Sequence, residues 1–288
     1  MTPDPDTQRA ENSQIEPQFS ETVRPIRVAV AGASGKMGRE IVKAVAQAPD
    51  MVLVAAIARR QAGEDAGTVA GIAPLGVTLL PDLPQALAQG GIDVLVDVTT
   101  PQAAAGHALE ALTARVRPVI GTTGLSPHEI QEIKHACETR GLGAILAPNF
   151  AIGAILMMKF AQEAAKYFAH AEILELHHNQ KADAPSGTAL KTAELMRESR
   201  AAFGLDNAPE TEKIPGARGA DAPGGIHIHS IRLPGLVAHQ EVIFGGLGQT
   251  LTIRHDSLNR ESFMPGVLVS VRKVMELDRF VYGLENIL

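Results

Sequence analysis

The sequence has few of the residues that mark disulfide-rich or strongly aromatic proteins. It contains one cysteine, no tryptophan and 3% aromatic residues in a chain of 288 residues. A single cysteine excludes an intrachain disulfide, which fits a reducing compartment. Cys137 shares one predicted helical face with Ile130 and Ile133. We therefore interpret it as a buried apolar residue and expect no nucleophile there.

Excess positive charge and long apolar runs are also missing. The 26 Lys and Arg residues against 32 Asp and Glu give a net charge of -6, so we expect no nucleic-acid partner. Gly, Pro or charged residues interrupt every apolar run before it could span a bilayer, and the N-terminus lacks the apolar core of a secretory signal. We expect a cytoplasmic protein without a membrane partner, preceded by a disordered tail over residues 1–24.

The segment that follows the tail alternates short β-branched runs with helical patterns. The runs "IRVAVAG", "MVLVAAIA", "IDVLVDVT", "RPVIGTT" and "GAILAP" read as strands. Their continuous apolar character indicates strands covered on both faces. Ser126, Pro127 and Glu129 form a capping-box pattern at one helix start. We predict an α/β fold, with a Rossmann-like doubly wound parallel sheet over residues 25–148.

The pattern changes after Asn149. A buried helix, a strand "AEILEL" and a second helix are followed by three strand-like runs, "GGIHIHSIRLPG", "LVAHQEVIFGG" and "QTLTIRHD". Because no helix separates these three runs, we predict antiparallel strands in an α+β domain over residues 149–257. Too few helices remain to cover both faces of this sheet, which favours cover by another subunit. Residues 258–288 are again helical in period and fit either domain.

A glycine-rich loop, "GASGKMGRE" from Gly32 to Glu40, joins the first strand to a helix. Glycines let the backbone approach a pyrophosphate, and the helix N-terminus stabilises its charge. The spacing G-x-x-G-x-x-G departs from the commoner G-x-G-x-x-G, and a tight turn without a ligand is the alternative. The position after the first strand favours a dinucleotide. The loops "GTTG" and "APNF" also end strands, where an open α/β sheet places its ligand, although both fit plain turns.

A cluster of ionisable residues lies in "ELHHNQKADAPSGTAL", from Glu175 to Leu190. His177, His178 and Lys181 follow a strand, and Ser186 to Thr188 open the next helix. Helix-start N–H groups beside an ammonium form a pocket for an anion, and histidine and lysine both transfer protons. Without a metal-ligand spacing, proton transfer is favoured over zinc, and a solvated loop remains the other alternative. We assign no chemistry to four later histidines, namely His227, His229, His239 and His255.

Together these motifs closely resemble the 4-hydroxy-tetrahydrodipicolinate reductase (dihydrodipicolinate reductase) family of the diaminopimelate route to lysine. The resemblance is carried by "VAGASGKMG", "GTTG", "APNFAIGA", "ELHHNQKADAPSGTA" and "FGGLGQTLTIRHDSLNRESFMPGV". It implies a homotetramer whose first domain binds NADH or NADPH and whose second domain binds a dicarboxylate and forms the tetramer. It also implies that residues 258–288 return to the dinucleotide-binding domain.

The resemblance assigns roles to individual residues. His177 matches a proton donor and acceptor and Lys181 a proton donor, while His178, Gly187 and Thr188 match substrate-binding positions. The positions that match cofactor contacts are Gly32, Ala33, Ser34, Gly35, Lys36, Met37, Gly121, Thr122, Thr123, Ala147, Pro148, Asn149 and Phe150. No metal is implied.

The end of the second strand bears on which nicotinamide is used. Where the family often has Glu then Arg, this chain has Ala58 and Arg59. Without the acidic residue NADH loses a hydrogen-bond acceptor, whereas Arg59, with Arg60 and Lys36 as further cations, can pair with the 2′-phosphate of NADPH. We predict that NADPH is preferred and that NADH is usable. Two alternatives remain open, a related reductase for another small acid and a non-catalytic dinucleotide-binding protein.

Overall fold

A computed structural model describes residues 24–204, 208 and 211–288 of the chain. Its first sheet has seven parallel strands in the order β12-β6-β5-β4-β1-β2-β3. These strands are β1 (Ile26–Ala31), β2 (Met51–Ile57), β3 (Leu79–Leu80), β4 (Val94–Asp97), β5 (Arg117–Ile120), β6 (Ala144–Leu146) and β12 (Phe280–Tyr282). The predicted parallel sheet of Rossmann type is confirmed.

Six helices accompany this sheet and cover both of its faces. They are α1 (Lys36–Gln47), α2 (Ala66–Ala70), α3 (Leu83–Gln89), α4 (Pro101–Thr113), α5 (Pro127–Arg140) and α8 (Met264–Glu276). Val28 and Val30 of β1 face a core that includes α1 and α8, whereas Ala29 and Ala31 face a core with α3 and α4. Burial on both faces explains why the strands read as continuous apolar runs.

The C-terminal segment returns to the first sheet. Strand β12 pairs in parallel with β6, and α8 packs beside α1. The guanidinium of Arg272 in α8 donates to both carboxylate oxygens of Asp50, at 2.7 and 2.9 Å, across more than two hundred residues of sequence. This segment therefore completes the first sheet, and its residues Tyr282 and Glu285 line the cleft described below.

The second half forms a five-stranded mixed sheet in the order β11-β10-β7-β9-β8. Its elements are α6 (Ile152–Ala164), β7 (His170–His177), α7 (Gly187–Ser199), β8 (Ala220–Ala222), β9 (Ile226–Arg232), β10 (Ala238–Gly246) and β11 (Gln249–Ser257). The predicted antiparallel pairing holds for β10 with β11. It is wrong for β9, which lies on the other side of β7 and pairs with it in parallel.

The parallel pairing has a topological reason. Helix α7 carries the chain from the end of β7 back to the side where β7 begins, so β9 enters the sheet in the same direction. One consequence is that residues at the ends of β7 and β9 lie side by side, with His177 opposite Arg232.

Several smaller expectations are resolved by the structure. The capping box of Ser126 and Glu129 is confirmed, and burial raises the pKa of the Cys137 thiol to about 12, as expected for an unreactive side chain. The predicted tail lies outside the described residues, except Arg24, which pairs with Asp93 at 2.7 Å. Among the residues described, none of the helices combines the length and the apolar character required to cross a membrane.

A close approach of α8 to the backbone provides a test of this packing. A Cβ on Gly266 would lie 2.0 Å from the carbonyl oxygen of Phe150, whereas a Cβ on Gly106 in α4 meets no atom within 4 Å. We expect Gly266→Ala to lower the melting temperature through overpacking of about 1–3 kcal/mol. The control, Gly106→Ala, should leave it equal or higher because alanine favours the helix. Equal melting temperatures for the two variants would contradict the described contact.

Candidate active site

A cleft lies between the carboxyl ends of the first sheet's strands and the end of β7. Its larger lobe, of about 540 Å³, includes Thr123, Lys181 and Gly187, and its smaller lobe, of about 230 Å³, includes Gln240 and His255. The lobes share five lining residues, namely Pro148, Asn149, His177, Ser186 and Thr188. The cleft therefore joins residues of both predicted motif groups, those after β6 and those after β7.

The glycine loop is tightly folded against the sheet. Gly32 has φ +85°, and a Cβ at that residue would lie 2.7 Å from the carbonyl oxygen of Val98. A Cβ on Gly38 would lie 2.1 Å from the carbonyl oxygen of Gly32. Helix α1 begins after Gly35 without a side-chain cap and without an acidic residue in its first turn. Its first N–H groups are therefore suited to bind an anion.

A buried carboxylate organises the neighbouring loops. Asp97, at the end of β4, is fully buried. It accepts hydrogen bonds from the N–H of Thr99 at 3.0 Å and from the hydroxyls of Thr99 and Thr122, both at 2.8 Å. It also contacts Nδ1 of His107 at 2.7 Å, a hydrogen bond that raises the pKa of His107 above its ordinary value. The predicted "GTTG" loop is thus fixed through Thr122.

The loop after β6 presents a polar donor to the cleft. The side-chain oxygen of Asn149 accepts from the N–H of Ala151 at 2.9 Å. Because a backbone N–H requires an acceptor, this contact orients the amide and leaves its NH₂ group available on the cleft side. The ring of Phe150 packs on Gly121, where an added Cβ would lie 2.6 Å from it. The two predicted loops therefore contact each other directly.

His177 is held at the edge of the cleft by the carboxylate of Glu175. Nδ1 of His177 lies 2.6 Å from Oε2 of Glu175, and its side chain is 15% exposed. Glu175 is fully buried and also accepts from both terminal nitrogens of Arg232, each at 2.7 Å, and from the N–H of Ser186 at 3.1 Å. One carboxylate therefore connects β7, β9 and the start of α7.

Burial and the neighbouring charges act on the pKa of His177 in opposite directions. Burial lowers the pKa of His177, the hydrogen bond with Glu175 raises it, and the charges of Lys181 and Arg232 lower it, with a net decrease. For Glu175, burial raises the pKa, but the hydrogen bonds from Arg232, Ser230 and His177 outweigh it, so the pKa lies below its ordinary value. An ionised Glu175 accepts only, so Nδ1 of His177 carries the proton and Nε2 is the exchangeable site.

Lys181 and the start of α7 carry a cation and backbone N–H groups at one side of the cleft. The ammonium of Lys181 donates to both carboxylate oxygens of Asp183, at 2.7 and 2.9 Å, and this bond lowers the pKa of Asp183. Ser186 caps α7 by accepting from the N–H of Ala189 at 3.2 Å. Gly187 and Thr188 are the first two helical residues, whose N–H groups precede the first intrahelical hydrogen bond.

Some predicted site residues lie apart from this cleft. His178 is exposed, and its Nδ1 accepts from the N–H of Gln180 at 3.2 Å. Arg59 is exposed just after β2, near enough to His107 for its charge to lower the pKa of that histidine. Lys36 lines a separate hollow with Arg39 and Arg260, beside the glycine loop. Within the described residues, no cluster of three or more His, Cys, Asp or Glu side chains is arranged to hold a metal ion.

Four lining or supporting residues have no counterpart among the sequence-predicted site residues. Gln240 and His255 are directly opposite each other on β10 and β11 and line the smaller lobe. Burial lowers the pKa of His255, and Oε1 of Gln240 is buried without a hydrogen-bond partner in the described structure. The other two are Glu175 and Arg232. In the sequence, all four residues are recognisable only as polar residues within half-buried strands. That pattern does not show which face of the sheet each residue occupies.

Comparison with known proteins gives a consistent result over almost the whole described chain. The family model described as dihydrodipicolinate reductase, N-terminus, matches residues 26–150, and the model for the C-terminus matches residues 153–288. A 4-hydroxy-tetrahydrodipicolinate reductase of Desulfitobacterium hafniense is 55% identical over 267 residues, which cover 92% of this chain and 100% of the relative. One from Halalkalibacterium halodurans is 56% identical over 263 residues, covering 91% and 99%.

A solved structure agrees with the sequence matches. The dipicolinate-bound dihydrodipicolinate reductase from Paenisporosarcina sp. TG-14 is 48% identical and superposes with a TM-score of 0.82, covering 92% of this chain and 100% of that one. The similarity therefore includes both sheets and the segment that joins them.

Proposed function

Because this chain belongs to the dihydrodipicolinate reductase family, we propose that the cleft reduces 4-hydroxy-tetrahydrodipicolinate, through dihydrodipicolinate, to tetrahydrodipicolinate, with His177 and Lys181 as its proton-transfer groups. The chain is an oxidoreductase of the diaminopimelate route to lysine. The observation that carries the site assignment is the shared lining of one cleft by Thr123 and Asn149 with His177, Lys181 and Thr188. Its action in the cytoplasm and the domain limits stay predictions.

The first sheet fits a nicotinamide dinucleotide. The uncapped start of α1 and the close approach of Gly32 and Gly38 to backbone oxygens leave a cradle that only glycine permits. We propose that residues 32–37 hold the pyrophosphate, and that residues 121–123 and 147–150 contact the nicotinamide half. When bound, the reduced nicotinamide supplies hydride to the substrate.

The second sheet and α7 supply charge complementarity and protons. We propose that the N–H groups of Gly187 and Thr188 and the ammonium of Lys181 bind a carboxylate of the substrate. We propose that His178 also binds the substrate. Because its ring is exposed and does not line the cleft, it must move toward the cleft to do so. Nε2 of His177 exchanges a proton with the reacting ring, and the ammonium of Lys181 donates one.

The high identity to reductases argues against the two alternatives. A related enzyme for another acid or a non-catalytic dinucleotide-binding protein would not require His177, Lys181 and the Ser186–Thr188 helix start in one cleft. The dipicolinate named for the Paenisporosarcina structure is a cyclic dicarboxylate, and we propose that this chain binds a ligand of the same chemistry.

Removal of either proton-transfer group tests this proposal. We expect His177→Gln and Lys181→Ala each to lower kcat by ~10²–10⁴-fold, the range for loss of a general acid or base. Oxidation of reduced nicotinamide in the presence of freshly made dihydrodipicolinate synthase product measures the rate. His128→Gln and Lys134→Ala, both on exposed positions of α5, serve as matched controls. Near-normal turnover in His177→Gln and Lys181→Ala would contradict the assignment.

We also propose that NADPH is preferred and that NADH is usable. Ala58 is buried and offers no carboxylate to a ribose hydroxyl, whereas Arg59 is exposed directly after it. The described residues include no side-chain carboxylate paired with Arg59, so its guanidinium is available to a 2′-phosphate.

Replacement of that arginine separates the two cofactors. Arg59→Ala should raise the KM for NADPH by roughly 10-fold or more, the effect of losing about 1.4 kcal/mol of a charge-assisted contact. The KM for NADH should change little, because NADH lacks the 2′-phosphate. Steady-state kinetics with both cofactors, with Lys134→Ala as the control, give the comparison. Equal effects on both cofactors, or a wild-type preference for NADH, would disprove the proposal.

The second sheet supports a proposal of homotetramer formation. Helices α6 and α7 pack on one face, against the alternating buried residues of β7. The opposite face presents Leu174, Leu176, Ile231 and Ile243, which are only partly buried in the isolated chain. A partner subunit on this face would bury them.

Light scattering tests the assembly. We expect a particle of about four times the 30.4 kDa chain mass. Leu174→Arg, which places a charge on the half-exposed sheet face, should reduce that mass, whereas Leu190→Arg on the exposed side of α7 should not. A stable active monomer of the unmodified protein would show that this face needs no partner.

A further inference from the structure

Glu175 has more hydrogen-bond donors around its carboxylate than the end of a β-strand requires. The carboxylate is fully buried at a position where the alternating pattern of β7 otherwise places Ala171 and Ile173. An ionised carboxylate without water is stable only when it is paired and hydrogen-bonded. Here it receives donors from His177, Arg232 and Ser186.

The orientation of these donors has a chemical consequence for His177. Oε2 of Glu175 takes the Nδ1 proton of the imidazole, so the ring is held in the tautomer whose Nε2 is free for the cleft. A negative charge at 2.6 Å also favours the protonated imidazolium. Burial of the ring opposes that effect most strongly, and the positive charge of Arg232, bound to the same carboxylate, acts in the same direction as burial.

We propose that Glu175 and Arg232 are positioning residues that together orient His177 and balance its affinity for the proton it transfers. This inference rests on the proposed role of His177 in the reductase reaction. Neither residue lines the cleft, so both act through the histidine and not on the ligand. Arg232 also donates to the carbonyl of Asp183 at 2.8 Å, which links the pair to the loop that carries Lys181.

Other ionisable groups lie around His177 without a hydrogen bond to its ring. Lys181 and Asp183 belong to the loop after β7, and Lys191 belongs to α7. The groups on the strands next to β7 and along the cleft walls are His227 and His229 of β9, His239 and Glu241 of β10, His255 of β11, and Glu285 near the C-terminus. None of these contacts the imidazole by a hydrogen bond in the described structure, whereas Glu175 does.

The proposal predicts that replacement of Glu175 and replacement of Arg232 shift the midpoint of the His177 titration in opposite directions. In Glu175→Gln the imidazolium loses its counter-charge, so the midpoint should move to lower pH. In Arg232→Gln the carboxylate loses its competing cation, so the midpoint should move to higher pH. Arg232→Lys keeps the positive charge and should stay closer to the unmodified protein than Arg232→Gln does.

The titration is measured by NMR on ring-labelled histidine in the complete protein without substrate, with His177→Gln to assign the resonance. Because no turnover is needed, the result is independent of whether the proposed reaction is correct. Shifts of the same sign in Glu175→Gln and Arg232→Gln, or no shift in either, would overturn the proposal. If Glu175→Gln does not fold, Arg232→Gln against Arg232→Lys decides it. If none of the three variants folds, Glu175 and Arg232 have a structural role only, and the proposal is overturned.

Kinetics give a second readout. Glu175→Gln should lower kcat by roughly 10-fold or more, and by less than the ~10²–10⁴-fold loss of the general acid itself. The KM for the dicarboxylate should change little, because glutamine still accepts from the N–H of Ser186 and the start of α7 stays in place. A raised KM with unchanged kcat would assign Glu175 to the binding of substrate through α7 and contradict its role toward His177.

Discussion

The buried carboxylate of Glu175 is the interaction on which the geometry of the second half depends. It must find donors because it has no water, and its donors come from β7, β9 and the first residue before α7. Removal of one partner of such a pair typically destabilises a protein by about 3–5 kcal/mol. The strand end that carries His177 and the helix start at Gly187 are therefore fixed relative to each other, which keeps the proposed proton-transfer group and the proposed anion-binding group at a constant separation.

In the first half of the chain, Asp97 has the corresponding role of a buried carboxylate that fixes neighbouring segments. This carboxylate, also fully buried, holds the loop after β4 through Thr99, the loop after β5 through Thr122, and α4 through His107. Both carboxylates lie near the end of a strand, and both accept hydrogen bonds that hold neighbouring segments in place. Loops in this position are otherwise the least stable parts of an α/β domain.

The sequence predicts the local parts of this arrangement better than the distant ones. Apolar runs and glycine spacing predict the parallel sheet and the loop at Gly32, and the histidine segment predicts that His177 and Lys181 lie together, because each signal is contained within a short stretch. Arg232 lies 57 residues beyond Glu175, and their contact depends on β9 pairing in parallel with β7. The predicted antiparallel pairing did not place β9 beside β7 in parallel, so the partner of Glu175 could not be found. The antiparallel pairing of β10 with β11 was predicted, but the sequence does not show that Gln240 and His255 on these strands face the cleft.

Glu175 and Asp183, the carboxylates paired with His177 and Lys181, differ in how firmly they are held. Glu175 is fully buried between Arg232 and His177, whereas Asp183 pairs with Lys181 through a side chain that is 62% exposed. An exposed ion pair contributes only about 0–1 kcal/mol, and Asp183 regains water when it is released. A ligand carboxylate that reaches Lys181 can therefore replace Asp183 at little cost, while Glu175 stays in place. Glu175 is thus a fixed, buried anion beside the imidazole, whereas Asp183 is an exposed anion at the ammonium, which a carboxylate of the proposed substrate would replace.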